Sequence, residues 1–89
     1  MAKIRASYWI SLNKQEEILN ALEESFGLRG TIDEDYISMR GRRESGIEAV
    51  RLSIEKDVIK VLVVIEDASL LESFNSILGE PKKVKGRIL

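Results

Sequence analysis

The chain has no cysteine and no histidine among its 89 residues. Without cysteine there is no disulfide and no thiolate metal site. Without histidine the commonest general base and the commonest transition-metal ligand are both missing. No metal and no cofactor is expected. No apolar run approaches the roughly 18–20 residues that span a bilayer. The N-terminus, MAKIRASYWISL, alternates where a signal peptide would have a solid apolar stretch. The expectation is a soluble, cytoplasmic protein with no membrane partner. There is also no excess of one charge. Fourteen bases meet 15 acids for a net charge of −1, so a global basic field is absent, which argues against a dedicated high-affinity nucleic-acid binder.

A chain this short forms one domain. It buries only about 60–65% of its unfolded surface, so its stability margin is thin. With disulfides and thiolate metals excluded, association is the stabiliser that remains. The charge is unevenly placed. Residues 13–35 hold seven acids and two bases, while 36–46 hold Arg40, Arg42 and Arg43 against Glu44. Residues 80–89 hold Lys82, Lys83, Lys85 and Arg87 against Glu80. The surface should therefore be polarised.

Residues 3–12 alternate, with Ile4, Ala6, Tyr8, Ile10 and Leu12 on one side and Arg5, Ser7, Trp9 and Ser11 on the other. Period 2 with aromatics predicts a strand. Asn13 and Glu16 then have the spacing of a capping box. Ile18, Leu19, Leu22 and Phe26 recur at helical spacing, and Gly27 is a natural stop. In 28–46, Tyr36, Ile37 and Met39 suit a short edge strand, and RGRRESG reads as a loop. Residues 47–55 alternate again, with Val50, Leu52 and Ile54 expected inward. VIKVLVVI, 58–65, is the strongest strand. A second helix follows, capped by Asp67 or Ser69 and ended at Gly79. The basic tail is a last strand or a flexible arm. The expected fold is α+β: an antiparallel sheet of three to four strands with two helices on one face. Residues 1–79 make the domain and 80–89 the basic tail.

VIKVLVVI is apolar on both sides of the strand. If Ile59, Val61, Val63 and Ile65 face the helices, then Val58, Leu62 and Val64 face the other way, together with Trp9. Two helices cannot cover that second face, so a protein partner is expected there. The bland alternative is a few apolar residues shielded by a rim of charge.

Enzymatic chemistry has little to stand on. Asp33, Glu34 and Asp35 are consecutive and splay apart in a loop. Glu66 and Asp67 could bind a hard cation, but helix capping explains Asp67 more simply. No phosphate-binding GK[ST] element follows Gly27 or Gly30. The chain is not expected to be an enzyme. RGRR could contact successive phosphates, or it could be a solvated loop balancing the acidic helix.

From residue 47 onward, IEAVRLSIEKDVIKVLVVIEDASLLESFNSIL reads as strand, tight turn, strand, acidic element and helix. It resembles the small Pcc-type subunit of the KEOPS complex, which makes threonylcarbamoyladenosine in tRNA. Glu66 or Asp67, Leu70, Asn75, Ser76 and Leu78 fall where that family has its acid, Leu, Asn-Ser and Leu. The first strand and helix fit the same order, so the likeness spans most of the chain. Its specific residues occupy about a dozen positions. Leu71 stands where the family usually carries arginine, the 28–46 segment is longer, and a basic tail replaces a longer helix end.

The resemblance implies a non-catalytic adaptor, either the main subunit or a divergent paralogue. Such an adaptor pairs through its sheet with itself or with a related small subunit. It docks its helices on the catalytic subunit and supports tRNA binding. The partner-binding residues expected are Leu70, Leu71, Phe74, Asn75 and Leu78 on the helix, with Trp9, Leu62 and Val64 on the sheet. The RNA-binding residues expected are Arg40, Arg42, Arg43, Lys82, Lys83, Lys85 and Arg87. The alternative is a stand-alone RNA-binding α+β module using the arginine loop and the basic tail.

Overall fold

A computed structural model describes residues 3–32, 36–41 and 45–86. The elements run β1 (Ile4–Ser11), a 3-10 turn (Leu12–Lys14), α1 (Gln15–Phe26), β2 (Arg29–Ile32) and β3 (Tyr36–Arg40). They continue with β4 (Ile47–Glu55), β5 (Val58–Ile65), α2 (Ser69–Leu78) and β6 (Lys83–Lys85). The strands form one sheet in the order β2-β3-β4-β5-β1-β6, antiparallel throughout. The fold is α+β with both helices on one face. The sheet has six strands instead of the expected three or four, because the 28–46 segment gives two short strands and the tail adds a third.

The core lies between helices and sheet. Ile4, Ala6, Tyr8 and Ile10 of β1 and Ile59, Val61, Val63 and Ile65 of β5 are buried. The pairings Ile4↔Ile65, Ala6↔Val63, Tyr8↔Val61 and Ile10↔Ile59 set them side by side. Ile18 and Leu22 of α1 and Phe74 and Leu78 of α2 close over them. Phe26 stacks on Phe74 with ring centroids 4.2 Å apart and planes 16° from parallel, joining the two helices. Such ring pairs add about 0.5–1.5 kcal/mol beyond the area they bury.

Several local expectations change. Asn13 does not cap α1. The chain enters through the 3-10 turn, with Lys14 at the N-cap and no side-chain cap bond. Gly27 ends α1 as expected, at φ 65 with its N–H donating to the Glu23 carbonyl at 2.9 Å. At α2, Asp67 Oδ1 accepts from the Ser69 N–H at 3.0 Å and from its hydroxyl at 2.8 Å. Those donors hold the Asp67 carboxyl below its ordinary range. Ile54 has the inward parity of Leu52, yet it is 48% exposed. It sits at the end of β4, opposite Ile59. A bulge between Ile47 and Ala49 lets both Ile47 and Val50 turn inward. A Cβ on Gly86, at φ 122, would run into the Lys3 carbonyl, so only glycine leaves β6 this close to β1.

Candidate functional site

Among the described residues none forms a layer over the second face of the sheet, and strand register decides what it displays. Across the strands, Tyr36, Ser53, Lys60 and Trp9 stand in one row on β3, β4, β5 and β1. The next row is Ser38, Arg51, Leu62, Ser7 and Lys83. A third is Ala49, Val64, Arg5 and Lys85. Arg40 follows Met39 on β3 and so turns to this face, with Arg29 directly opposite on β2. At these registered positions the face carries seven cations: Arg5, Arg29, Arg40, Arg51, Lys60, Lys83 and Lys85. Among the described residues one strand carboxylate, Glu55, shares the face, paired with Val58 at its rim. Glu48, in the bulge, is held by Lys3 at 2.9 Å.

The helical layer has the opposite sign. The residues of α1 and α2 include five carboxylates (Glu16, Glu17, Glu23, Glu24 and Glu72) and no lysine or arginine. The net charge of −1 therefore conceals a molecule with an acidic side and a basic side. Fields of this kind steer charged partners over distances set by the Debye length, about 8–10 Å at ordinary salt.

Two aromatic rings stand among the cations. Trp9 is 46% exposed, and the Lys82 ammonium lies 5.9 Å from its ring centroid. Tyr36 is half-buried, with the Arg51 guanidinium 4.7 Å above its ring. Three strand spacings separate the two rings, roughly 14 Å. Val58, Leu62 and Val64 are half-buried although no layer covers them. Arg5 stands opposite Val64 and Arg51 opposite Leu62, where long aliphatic stems can cover apolar surface.

The expected sheet-side partner residues are thus exposed (Trp9) or half-exposed (Leu62, Val64), and they stand in a basic field. The helix-side set divides. Phe74 and Leu78 are buried in the chain's own core. They are not presented to a partner, because their helical positions point at the sheet. Leu70 and Leu71 are half-buried against that core. Asn75 is turned inward, its Oδ1 accepting the Tyr8 hydroxyl at 2.7 Å. Ser69, Glu72, Ser73 and Ser76 form the outer side of α2. Of the expected RNA-contacting residues, Arg40, Lys83 and Lys85 share the basic face and Lys82 lies over Trp9. Arg42, Arg43 and Arg87 fall outside the described residues.

Arg5, Arg29, Arg51 and Lys60 are not expected at a site from the sequence, whereas Tyr36 and Trp9 are candidates for stacking a base that the sequence does not interleave with the arginines. The available signal was parity: Arg5 alternates with the inward Ile4 and Ala6, and Lys60 interrupts an otherwise apolar run.

Tyr8 is fully buried, and desolvation pushes its phenol up to about 12. The unfolded phenol titrates near 10. Between those values the unfolded chain has lost the proton and the folded one keeps it, so stability falls as pH rises. Thermal melts should therefore show an alkaline loss between about pH 10 and 12 that is absent in Tyr8→Phe. That variant should also be about 1 kcal/mol less stable at neutral pH, because the Asn75 oxygen loses its donor.

A hollow of about 1010 Å³ lies between the end of α1 and strands β2 and β3, lined in part by Glu23, Arg29, Arg40 and Ser45. Among the described residues no three carboxylates come together as a metal site. No helix among them is long and apolar enough to cross a membrane. No protein-family model, curated protein or solved structure matches the chain.

Proposed function

We propose that the chain is a non-catalytic, cytoplasmic accessory subunit of a KEOPS assembly, supporting threonylcarbamoyladenosine modification of tRNA. The observation that carries this reading is the unit β4–β5–α2, which holds the Asn-Ser motif. Asn75 is spent on fixing α2 to β1 through Tyr8. This leaves Leu70 and Leu71 half-exposed at one side of the helix, with Ser73 and Ser76 outward. The motif thus combines an internal lock with an outer surface of small side chains that another helix can approach closely. The docking surface for the catalytic subunit is then the acidic helical layer.

Pairing with a related small subunit is better served by an edge of the sheet than by its open face. A face-to-face homodimer would press seven cations against seven, and opposed like charges cost several kcal/mol. Of the two edges, β6 is only Lys83–Lys85, and short lysine-bearing edges resist pairing.

Size exclusion with light scattering tests the reading. The chain should co-elute with the catalytic threonylcarbamoyl-transferase subunit or with a related small subunit. Leu71→Glu should weaken the catalytic-subunit complex about tenfold or more while leaving the fold intact. A chain that stays monomeric and binds neither subunit overturns the reading.

A further inference from the structure

We infer that the open face of the sheet is a binding platform for single-stranded nucleic acid, in which Trp9 and Tyr36 stack bases and the surrounding cations hold the phosphates. The inference stands on the charge segregation and does not depend on the KEOPS reading. Single-strand platforms pair a positive surface that follows the backbone with aromatic rings that accept any base. Both elements are present here and come from different strands. Lys60 lies in the row between the two rings, and Arg51 stands in the next row on β4 with its guanidinium over Tyr36. Arg5, Lys83 and Lys85 extend the cations along β1 and β6, and Arg40 and Arg29 along β3 and β2.

Each ring also has a cation at it: Lys82 lies 5.9 Å from the Trp9 centroid, and Arg51 covers the Tyr36 ring, so a base at that end stacks on the guanidinium plane or displaces it. A base stacked at either ring therefore brings its own phosphate next to a positive charge. The gap of roughly 14 Å across three strand spacings leaves room for an intervening nucleotide over Lys60. The occupant is anionic because the face is cationic and the helices are not. It is single-stranded because the bases of a duplex are already stacked and cannot reach the rings.

Trp9 is the chain's only tryptophan, so its fluorescence reports on the platform directly. The experiment titrates the full chain with an oligouridylate of roughly ten nucleotides, within the span of known single-strand sites. Trp9 emission should be quenched on binding. The slope of log K against log salt should be roughly −2 to −3, the value for three or four phosphates neutralised on a single strand. Trp9→Ala, followed by anisotropy of a labelled oligonucleotide, should weaken binding by about tenfold or more, as loss of one stacked base does. Arg51→Glu with Lys60→Glu should weaken it at least as much and flatten the slope. All three positions are exposed, and circular dichroism checks that the fold survives. Glu16→Gln with Glu17→Gln, on α1 and so on the helical side of the sheet, should leave binding within about twofold, because neither side chain belongs to the platform.

Three results would overturn the inference. The first is no quenching. The second is a same-length RNA duplex binding as tightly as the single strand. The third is polyglutamate competing as well as RNA, which would assign the face to an acidic protein, a second copy's helical layer included. If the chain binds the oligonucleotide but neither KEOPS subunit, the platform holds and the assembly reading fails. The converse result separates them the other way.

Discussion

Phe74→Ala is expected to lower the unfolding free energy by about 3–5 kcal/mol, the range for truncating a buried phenylalanine. Phe74 is fully buried on the inward side of α2. It is also the ring on which Phe26 stacks, so its removal opens a cavity and frees the end of α1 together. Chains hold roughly 0.05–0.15 kcal/mol per residue, or about 4–13 kcal/mol at this length. The loss is therefore a large fraction of the total, and urea denaturation should show a midpoint shifted far down at nearly unchanged slope. The comparison is Ser73→Ala, one residue earlier on the outer side of the same helix, which should stay within about 0.5 kcal/mol. Equal effects at the two positions would mean that α2 does not pack as described. The contrast also bears on function. A partner docking on α2 meets Ser73 and Ser76, with Leu70 and Leu71 at the margin, and not the phenylalanine.

The elements with a long, regular period were legible in the sequence. β1 and β5 and both helices follow from the spacing of their apolar residues, because a strand or helix with one buried face has to repeat that way. β2 was not legible. Arg29 and Gly30 carry no alternation, and the strand exists because β3 offers it a partner in the sheet. Asn13 shows the limit of a capping pattern: the chain had to turn from β1 toward the helical layer first, and the 3-10 turn did so.

The basic face was legible only in fragments. Arg40 and the tail lysines stood out as local clusters. Arg5, Arg29, Arg51 and Lys60 are isolated in sequence and meet only through strand register. Net charge gave no sign of this face because it sums two sides of the molecule that the fold keeps apart.

β4 supplies the second large effect. Leu52→Ala should cost about 2–5 kcal/mol, whereas Ile54→Ala, two residues on and of the same parity, should cost under about 1 kcal/mol. Leu52 is paired with Ile37 on one side and Val61 on the other, in the middle of the sheet, and is almost wholly buried. Ile54 points the same way, but half of it meets solvent. Truncating Ile54 leaves a notch that water fills, with no sealed cavity, so only part of the transfer term is lost. Thermal or urea denaturation of the two variants side by side gives the difference directly. A large loss at Ile54 would mean that something covers the end of β4 in solution, with a self-associated state the first candidate. In that case the Ile54→Ala deficit should grow with protein concentration, because a subunit contact that buries Ile54 stabilises by mass action. A monomer should show the same small deficit at every concentration.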